Sequence, residues 1–252
     1  MKTDFDIKKL LSAIDLPIDW VGLREVYEAH TPRMIRDGFP VANSKSSTHG
    51  VMVEVLADGQ FGYYGTPNMT SKGIAHAAEK AYQQAKIASK NCLYSFDETA
   101  RPPFKGQYQS PYTKNVDSLS AGALNELLTD AYNHLKVSEK IVSASSLCQL
   151  IETSFRYVSS NGSDIKQDFL MLEFDLSATA ADGTNQQTRT FGGMRGTCRQ
   201  MGLEYFDKHE IIANADRIGE QAIELLHADE CPSGKMDLVI APDQMMLQIH
   251  ES

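Results

Sequence analysis

The sequence has little of several features that mark specialised classes of protein. Its four cysteines lie far apart and form no Cys-x-x-Cys pair, so we expect no disulfide framework and instead reduced thiols in a cytoplasmic protein. No apolar run approaches the length of about 18 residues that a membrane span needs. The acidic residues near the start of the chain are not typical of a signal peptide.

Positive charge is also scarce. The chain has 24 lysines and arginines against 33 aspartates and glutamates, and its formal net charge is -9. No basic run is longer than a pair, whereas proteins that hold a phosphate backbone cluster their lysines and arginines. The composition therefore predicts no nucleic acid as a direct partner and, without a predicted span, no membrane partner.

The sequence does contain enough apolar residues for a packed core. Hydrophobic residues make up 42% of the 252 positions, a length that suits one large domain or two ordinary ones. Apolar residues recur at helical spacing in some segments and alternate in others. Together the patterns predict an α+β fold in two units, with mixed or antiparallel sheets and packed helices.

The first unit is predicted to combine a hairpin with two helices. Residues 7–14 place apolar side chains on one face of a short helix. Alternating valines precede Asp58-Gly59, and alternating aromatic residues follow it, which is a strong signal for a hairpin turn. Residues 68–89 then predict an alanine-rich helix capped by Thr70 or Ser71, and its small residues would let it lie close to the sheet.

The second unit is predicted to be a helix, an antiparallel meander and a further helix. Ser120 is a plausible cap for the first helix. We interpret residues 140–150 and 151–160 as one pair of strands, and residues 164–180 and 184–193 as another. The sequence then predicts a helix over 214–228, a short strand over 236–242 and the start of a helix at Pro242.

Residues 95–117 contain three prolines and no apolar period, which is typical of a connection between two units. The predicted organisation is an N-terminal α+β unit over residues 1–94, this linker, a central helix-plus-meander unit over 118–230 and a final segment over 231–252.

The final segment ends in a pair of residues that could bind a metal, His250 and Glu251. A neutral imidazole is a good zinc ligand, and a neighbouring carboxylate can act as general base toward a metal-bound water. The common motif His-Glu-x-x-His needs a second histidine one turn later, and none follows in this sequence. Taken alone, such a pair is more often a chance occurrence than part of a metal site.

No other part of the sequence completes a catalytic set. The remaining histidines show no ligand spacing, and we interpret them as surface or core residues: His30, His49, His76, His134, His209 and His227. The residues by themselves therefore offer one half of a metal motif.

Three stretches taken together resemble the TldD/PmbA (TldE) family of bacterial and archaeal metallopeptidases. Residues 50–86 resemble its N-terminal signature of a valine-rich strand, an Asp-Gly hairpin and an alanine-rich helix. Residues 156–196 are similar to its central meander, which ends in a glycine-rich stretch. Residues 228–252 are similar to the segment that leads into the metal motif. Because the PmbA branch lacks the His-Glu pair, the resemblance is to the TldD-like branch.

The resemblance implies a zinc-dependent hydrolase of extended or unfolded peptides, with His250 as a metal ligand and Glu251 as the catalytic base. It also implies a homodimer or a heterodimer with a PmbA/TldE-type subunit. The family motif is His-Glu-x-x-x-His, with a further cysteine ligand in a large C-terminal domain, and neither is found here. Neither Cys198 nor Cys231 matches the position of that cysteine ligand.

We therefore expect an N-terminal and central region that lacks the family's C-terminal catalytic domain, with residues 231–252 as the start of a truncated metallopeptidase domain. Such a chain is expected to bind no zinc and to be inactive alone.

A non-catalytic module is the alternative interpretation. Such a module would dimerise or hold a peptide along a sheet edge without chemistry. Zinc content and oligomeric state would separate the two hypotheses. Regulation of DNA gyrase is an older label of the same family, and the acidic balance of this chain opposes direct contact with DNA.

Overall fold

The computed structural model describes residues 6–192 and 197–252 of the chain, except for the side chain of Asp243. The helices are α1 (Ile7–Ser12), α2 (Ser71–Ala88), α3 (Ala121–Leu135), α4 (Lys208–Leu225) and α5 (Pro242–His250). The strands are β1 (Trp20–Arg36), β2 (Phe39–Asn43), β3 (Ser46–Ala57), β4 (Gln60–Thr66), β5 (Lys105–Gln109), β6 (Ile141–Ser159), β7 (Asp164–Asp182) and β8 (Asn185–Thr190).

The strands follow the order β4-β3-β1-β6-β7-β5, while β2 pairs with β1 and β8 pairs with β7. The sheet is mixed, because β5 runs parallel to β7 whereas the pairs β1–β2, β3–β4 and β7–β8 are antiparallel. This architecture confirms the predicted α+β class with a mixed sheet and packed helices.

The chain divides into two compact units that are not contiguous in sequence. Unit 1 contains Met1–Ala29, Ser47–Ser110 and Glu152–Phe169, and unit 2 contains His30–Ser46, Pro111–Ile151 and Leu170–Ser252. Strands β1, β6 and β7 each contribute residues to both units. The contiguous domain boundaries expected from the sequence stay a prediction.

The core of unit 1 forms where α2 lies against the β3–β4 hairpin. The hairpin turns at Asp58 and Gly59, whose φ angles of 51° and 72° suit a tight type I′ turn. Thr70 is the cap of α2, since its hydroxyl oxygen accepts the backbone N–H of Gly73 at 3.2 Å. The fully buried face of the helix is built from small residues: Ala77, Ala78, Ala81 and Ala85.

Close approach of α2 to β4 is the reason for those small residues. A Cβ atom added at Gly62 on β4 would lie only 1.9 Å from the carbonyl oxygen of Ala81. The glycine and the alanine stripe thus let the helix backbone pack directly on the strand, as the sequence predicted.

A partly buried ion pair holds the connection after α2 against the sheet of unit 1. Arg101 donates from Nε and Nη2 to the same Oε1 of Glu54, at 3.0 and 2.6 Å. The guanidinium carbon also lies 4.6 Å from the ring centroid of Phe61. Further along, β5 pairs in parallel with residues 164–168 of β7. Residues 101–109 are therefore fixed by specific contacts within unit 1.

The core of unit 2 forms between the meander β6-β7-β8 and the helices α3 and α4. Ser120 caps α3, as predicted, and Asp207 caps α4. A Cβ atom added at Gly219 of α4 would lie 2.6 Å from the carbonyl oxygen of Leu135, so the two helices pack closely at that point. The predicted β7–β8 pair is confirmed, with its turn at Gly183 (φ 61°).

Glu204 fastens the loop that precedes α3 to the loop that precedes α4. Its carboxylate accepts backbone N–H groups of Lys114 at 2.8 Å, Thr113 at 3.1 Å and Gly202 at 3.1 Å. Desolvation acts to raise the pKa of Glu204, but these backbone donors outweigh it and hold the pKa at about 2.

Three elements differ from the sequence interpretation. Residues 140–160 do not form a strand pair, because β6 is one strand of 19 residues and has no turn residue at its centre. Helix α4 begins at Lys208 rather than at 214, since Asp207 caps it and the side chain of Ile211 is buried. Residues 236–242 form no strand, because none of the described strands pairs with them to satisfy their backbone groups.

Candidate functional site

Helix α5 carries the His-Glu pair and has many exposed apolar side chains. Pro242 occupies its first turn, and Ala241 offers no side-chain cap. From residue 236 onward large apolar side chains are exposed along the segment and the helix: Met236, Leu238, Val239, Ile240, Met245, Met246, Leu247 and Ile249. An exposed apolar surface of this extent is typical of a surface that another protein segment covers.

The structure brings His250 and Glu251 side by side at the end of α5. Nε2 of His250 lies 3.9 Å from Oε1 of Glu251, and the two side chains are 78% and 71% exposed. Glu251 caps the helix, and its backbone N–H donates to the carbonyl oxygen of Leu247 at 3.1 Å. At this distance and exposure the contact contributes little stability, so the pair is held only by its position on the helix.

The residues present do not make a complete zinc site. A catalytic zinc normally takes three protein ligands and a water molecule. In residues 6–192 and 197–252, no group of three or more His, Cys, Asp or Glu side chains is close enough together to hold a metal ion. The pair supplies one imidazole and one adjacent carboxylate, so no catalytic step can be derived through a metal from this chain alone.

Two of the other histidines each lie against a carboxylate. His49 lies 2.8 Å from a carboxylate oxygen of Glu25. His134 lies 2.9 Å from a carboxylate oxygen of Asp216, which ties α3 to α4 at a shallow depression of about 460 Å³. For His49 and His134 these contacts agree with the interpretation of the scattered histidines as surface or core residues.

The cysteines show no sign of an activated thiol. All four are free, and only Cys148 is buried. Burial raises the pKa of the Cys148 thiol to about 12. Cys198 is exposed, and both its partial desolvation and the negative charge of Glu173 raise its pKa, so it is a neutral thiol near pH 7.

Asp175 is an unusual carboxylate that sequence reasoning missed. It lies on β7, and its Oδ1 atom is enclosed without a hydrogen-bond partner among the described residues. Desolvation raises the pKa of Asp175 to about 6, opposed by a backbone hydrogen bond at Leu176 and assisted by the charge of Glu173. The sequence predicts a strand over residues 164–180, but no local signal distinguishes Asp175 from an ordinary surface aspartate.

Comparisons with known proteins place the chain in a family. Residues 34–85 match the family profile described as PmbA/TldA metallopeptidase domain 1, and residues 114–228 match the PmbA/TldA metallopeptidase central domain. Together the two matches cover more than half of the chain. The chain therefore belongs to the PmbA/TldD metallopeptidase family, as its resemblance indicated.

Two curated relatives are named metalloproteases, which agrees with this family. A metalloprotease from Methanothermobacter thermautotrophicus is 25% identical over 264 residues, a match that covers 100% of this chain and 53% of the relative. A metalloprotease from Methanocaldococcus jannaschii is 24% identical over 237 residues, covering 93% of this chain and 50% of the relative. The chain thus spans about half the length of the curated relatives it matches.

A solved structure shows the same fold. TldE from Thermococcus kodakarensis superposes with a TM-score of 0.62 at 14% identity, covering 86% of this chain and 47% of that one. Within the two described ranges, none of the helices combines the length and the hydropathy that a membrane span requires.

Proposed function

We propose that the chain forms the N-terminal and central regions of a TldD-like zinc metallopeptidase that hydrolyses extended or unfolded peptides, and that it is inactive alone. The observation that carries this proposal is the order of the two family domains along the chain, combined with metalloprotease relatives about twice as long. The exposed apolar side chains around α5 support it, because they offer a surface on which further protein could pack.

His250 is proposed to occupy the position of a metal ligand, and Glu251 that of the general base. The support for these roles is the resemblance of residues 228–252 to the family motif and the adjacency of the two side chains at the end of α5. Zinc, where bound, would supply an activated water for hydrolysis of a peptide bond. The chain contributes one imidazole to such a site, and its remaining ligands would have to come from elsewhere.

The proposal of inactivity is tested with the purified chain. After dialysis against zinc, we expect no stoichiometric metal by mass spectrometry and no cleavage of fluorescently labelled, unfolded casein. Cleavage that a chelator abolishes would contradict the inactivity of this chain.

The roles of the two residues need a longer protein, such as a fusion of this chain to the C-terminal half of the Methanothermobacter relative. In an active fusion, Glu251→Gln should retain zinc and lose hydrolysis, while His250→Ala should lose both. His227→Ala, another histidine of the chain, serves as the control and should behave as the parent protein. Normal activity of the Glu251→Gln variant would exclude the assigned base.

A non-catalytic dimerisation or peptide-binding module is the second candidate. The observation that favours it is the exposed apolar segment from Met236 to Ile249, which could also be covered by a partner subunit. We propose as partner a second copy or a PmbA/TldE-type subunit, in keeping with the TldE fold, in the cytoplasm. A stable, zinc-free dimer in light scattering would favour this module, and a zinc-free monomer would argue against it.

A further inference from the structure

The turn between β6 and β7 contains the single Asn-Gly pair of the chain, Asn161-Gly162. An asparagine that precedes glycine is chemically prone to lose its side-chain amide, because no side chain on the next residue shields the backbone nitrogen that attacks it. Gly162 has a φ angle of 103°, which suits glycine and few other residues. The turn thus requires the same residue that makes Asn161 chemically labile.

Deamidation of Asn161 would need no reagent other than water. The backbone nitrogen of Gly162 loses its proton and attacks Cγ of Asn161. The new C–N bond closes a cyclic succinimide, and Nδ2 leaves as ammonia. Water then breaks one of the two C–N bonds of the ring and leaves either aspartate or isoaspartate. In total, one water molecule is consumed and one ammonia molecule is released.

In the folded chain the side-chain amide of Asn161 is held by three hydrogen bonds. Its Oδ1 accepts from Nε1 of Trp20 at 3.0 Å and from Oγ of Ser159 at 2.6 Å. Its Nδ2 donates to the carbonyl oxygen of Arg101 at 2.8 Å. All four residues belong to unit 1, and Trp20 is only 1% exposed. These contacts fix the plane of the amide and engage the nitrogen that would have to leave.

The attacking nitrogen is held as well. The backbone N–H of Gly162 donates to the carbonyl oxygen of Ser159 at 3.0 Å. Attack on Cγ of Asn161 requires that this hydrogen bond breaks and that the nitrogen loses its proton. The two donors at Oδ1 would make Cγ more electrophilic, as in an oxyanion hole. This polarisation does not help while the nitrogen is directed at Ser159, so the folded geometry favours protection over acceleration.

We propose that Asn161 is a site of spontaneous deamidation that proceeds only when this turn opens, and that the modified turn does not re-form its contacts. Aspartate lacks the NH₂ donor, so its carboxylate would face the carbonyl oxygen of Arg101 without a hydrogen bond. Isoaspartate lengthens the main chain within the turn and displaces the N–H of Gly162. A transient opening is thereby converted into a permanent loss of the contacts to Trp20 and Arg101. The inference does not depend on the proposed protease function.

The test compares the rate of deamidation in the folded chain and in the chain unfolded by urea, both at a mildly alkaline pH. Trypsin releases residues 157–166, in which Asn161 is the sole asparagine, and mass spectrometry after chromatography separates the three forms of this peptide. A synthetic peptide of the same residues, incubated in both solvents, corrects for any effect of urea on the chemistry. We expect the reaction to be at least about tenfold slower in the folded chain, because its rate follows the population of the open turn.

Two serine variants show whether the hydrogen bonds to Asn161 are responsible for the protection. Ser159→Ala removes one donor at Oδ1 and should speed deamidation of the folded chain about fivefold, since one hydrogen bond contributes about 1 kcal/mol. It should leave the rate in urea unchanged. Ser154→Ala is the matched control on the same strand, because its hydroxyl bonds to Asp168 instead, and it should keep the wild-type rate.

Asn161→Asp imitates one product of the reaction and tests whether the turn can re-form. It should lower the midpoint of urea unfolding by about 0.5 M or more, because the donor to the Arg101 carbonyl is lost. Asn68→Asp is the control, since Asn68 contacts Thr70 through its oxygen, which aspartate retains, and it should not lower the midpoint.

The proposed protection is overturned if the folded wild-type chain deamidates at Asn161 as fast as the unfolded chain, or if Ser159→Ala is no faster than Ser154→Ala. The proposed loss of contacts is overturned if Asn161→Asp unfolds at the wild-type midpoint. The comparison of folded and unfolded wild-type chain needs no variant, so it decides the first question even if Ser159→Ala fails to fold.

Discussion

The partly buried ion pair between Arg101 and Glu54 allows a sharp test of how unit 1 is held together. The Glu54 side chain is 7% exposed and that of Arg101 is 40% exposed. Removing one partner of a fully buried pair costs about 3–5 kcal/mol, because the other charge is left without compensation. Since water reaches part of Arg101, we discount this value and expect Arg101→Met to lower the free energy of unfolding by about 2–3 kcal/mol.

The assay is urea unfolding followed by fluorescence. Trp20 is the only tryptophan, it is 1% exposed, and its ring lies 6.0 Å from that of Phe61 in unit 1. Its emission therefore reports unfolding of the unit that contains the pair. With a slope of about 1–3 kcal/mol per molar urea, Arg101→Met should move the midpoint down by about 0.7–3 M.

A double variant shows whether Arg101→Met loses stability because a charge is left unpaired or because packing is lost. Arg101→Met combined with Glu54→Gln buries no charge, so it should regain most of the loss seen in Arg101→Met. Lys86→Met breaks the exposed pair with Asp58 in the same unit and should leave the midpoint unchanged. The reasoning is refuted if Arg101→Met unfolds within about 0.5 kcal/mol of wild type, or if the double variant is no more stable than Arg101→Met alone.

Three further predictions concern other contacts. Gly62→Ala should destabilise the protein by about 3 kcal/mol or more in urea unfolding, since its Cβ would displace the backbone of α2 at Ala81; an unchanged midpoint would contradict the close packing. Glu204→Gln should lower the melting temperature above pH 4.5, because the folded-state pKa of Glu204, about 2, lies below the ordinary value. The difference in melting temperature between variant and wild type should vanish as the pH falls toward 2. A difference that does not depend on pH would refute this reasoning. Asp175→Asn should stabilise the folded protein by about 1–2 kcal/mol at pH 7 and have no effect below pH 3.8. The reason is that the folded-state pKa of Asp175, about 6, makes its ionisation unfavourable as the pH rises. Destabilisation at pH 7 would show that Asp175 has a stabilising partner.

Much of the fold could be predicted because its signals are local. The turn at Asp58-Gly59 follows from the positive φ angles that its residues tolerate. The caps Thr70 and Ser120 follow from a hydroxyl that meets an unpaired backbone N–H three residues later. The turn and both caps depend only on residues within a few positions of each other, so they can be predicted from the sequence alone.

The candidate site was only half accessible to sequence reasoning. His250 and Glu251 are adjacent in the chain, so their proximity on α5 needs no tertiary structure. Their chemical roles depend on ligands that spacing within this chain does not supply. The contact between Arg33 and Asn125 was missed altogether, because the two residues are 92 positions apart and nothing near either of them marks it.

By itself the sequence determined the family, the α+β class, and the helices and turns whose causes lie within one or two turns of chain. Only the tertiary structure decided that residues 141–159 form one strand and that residues 101–109 are held on unit 1. It also decided that Arg33, Glu54 and Asp175 are charged groups in buried or enclosed surroundings. The physical reason is that strand pairing, desolvation and ion pairing depend on neighbours far away in sequence, whereas capping and turn formation depend on neighbours that are close.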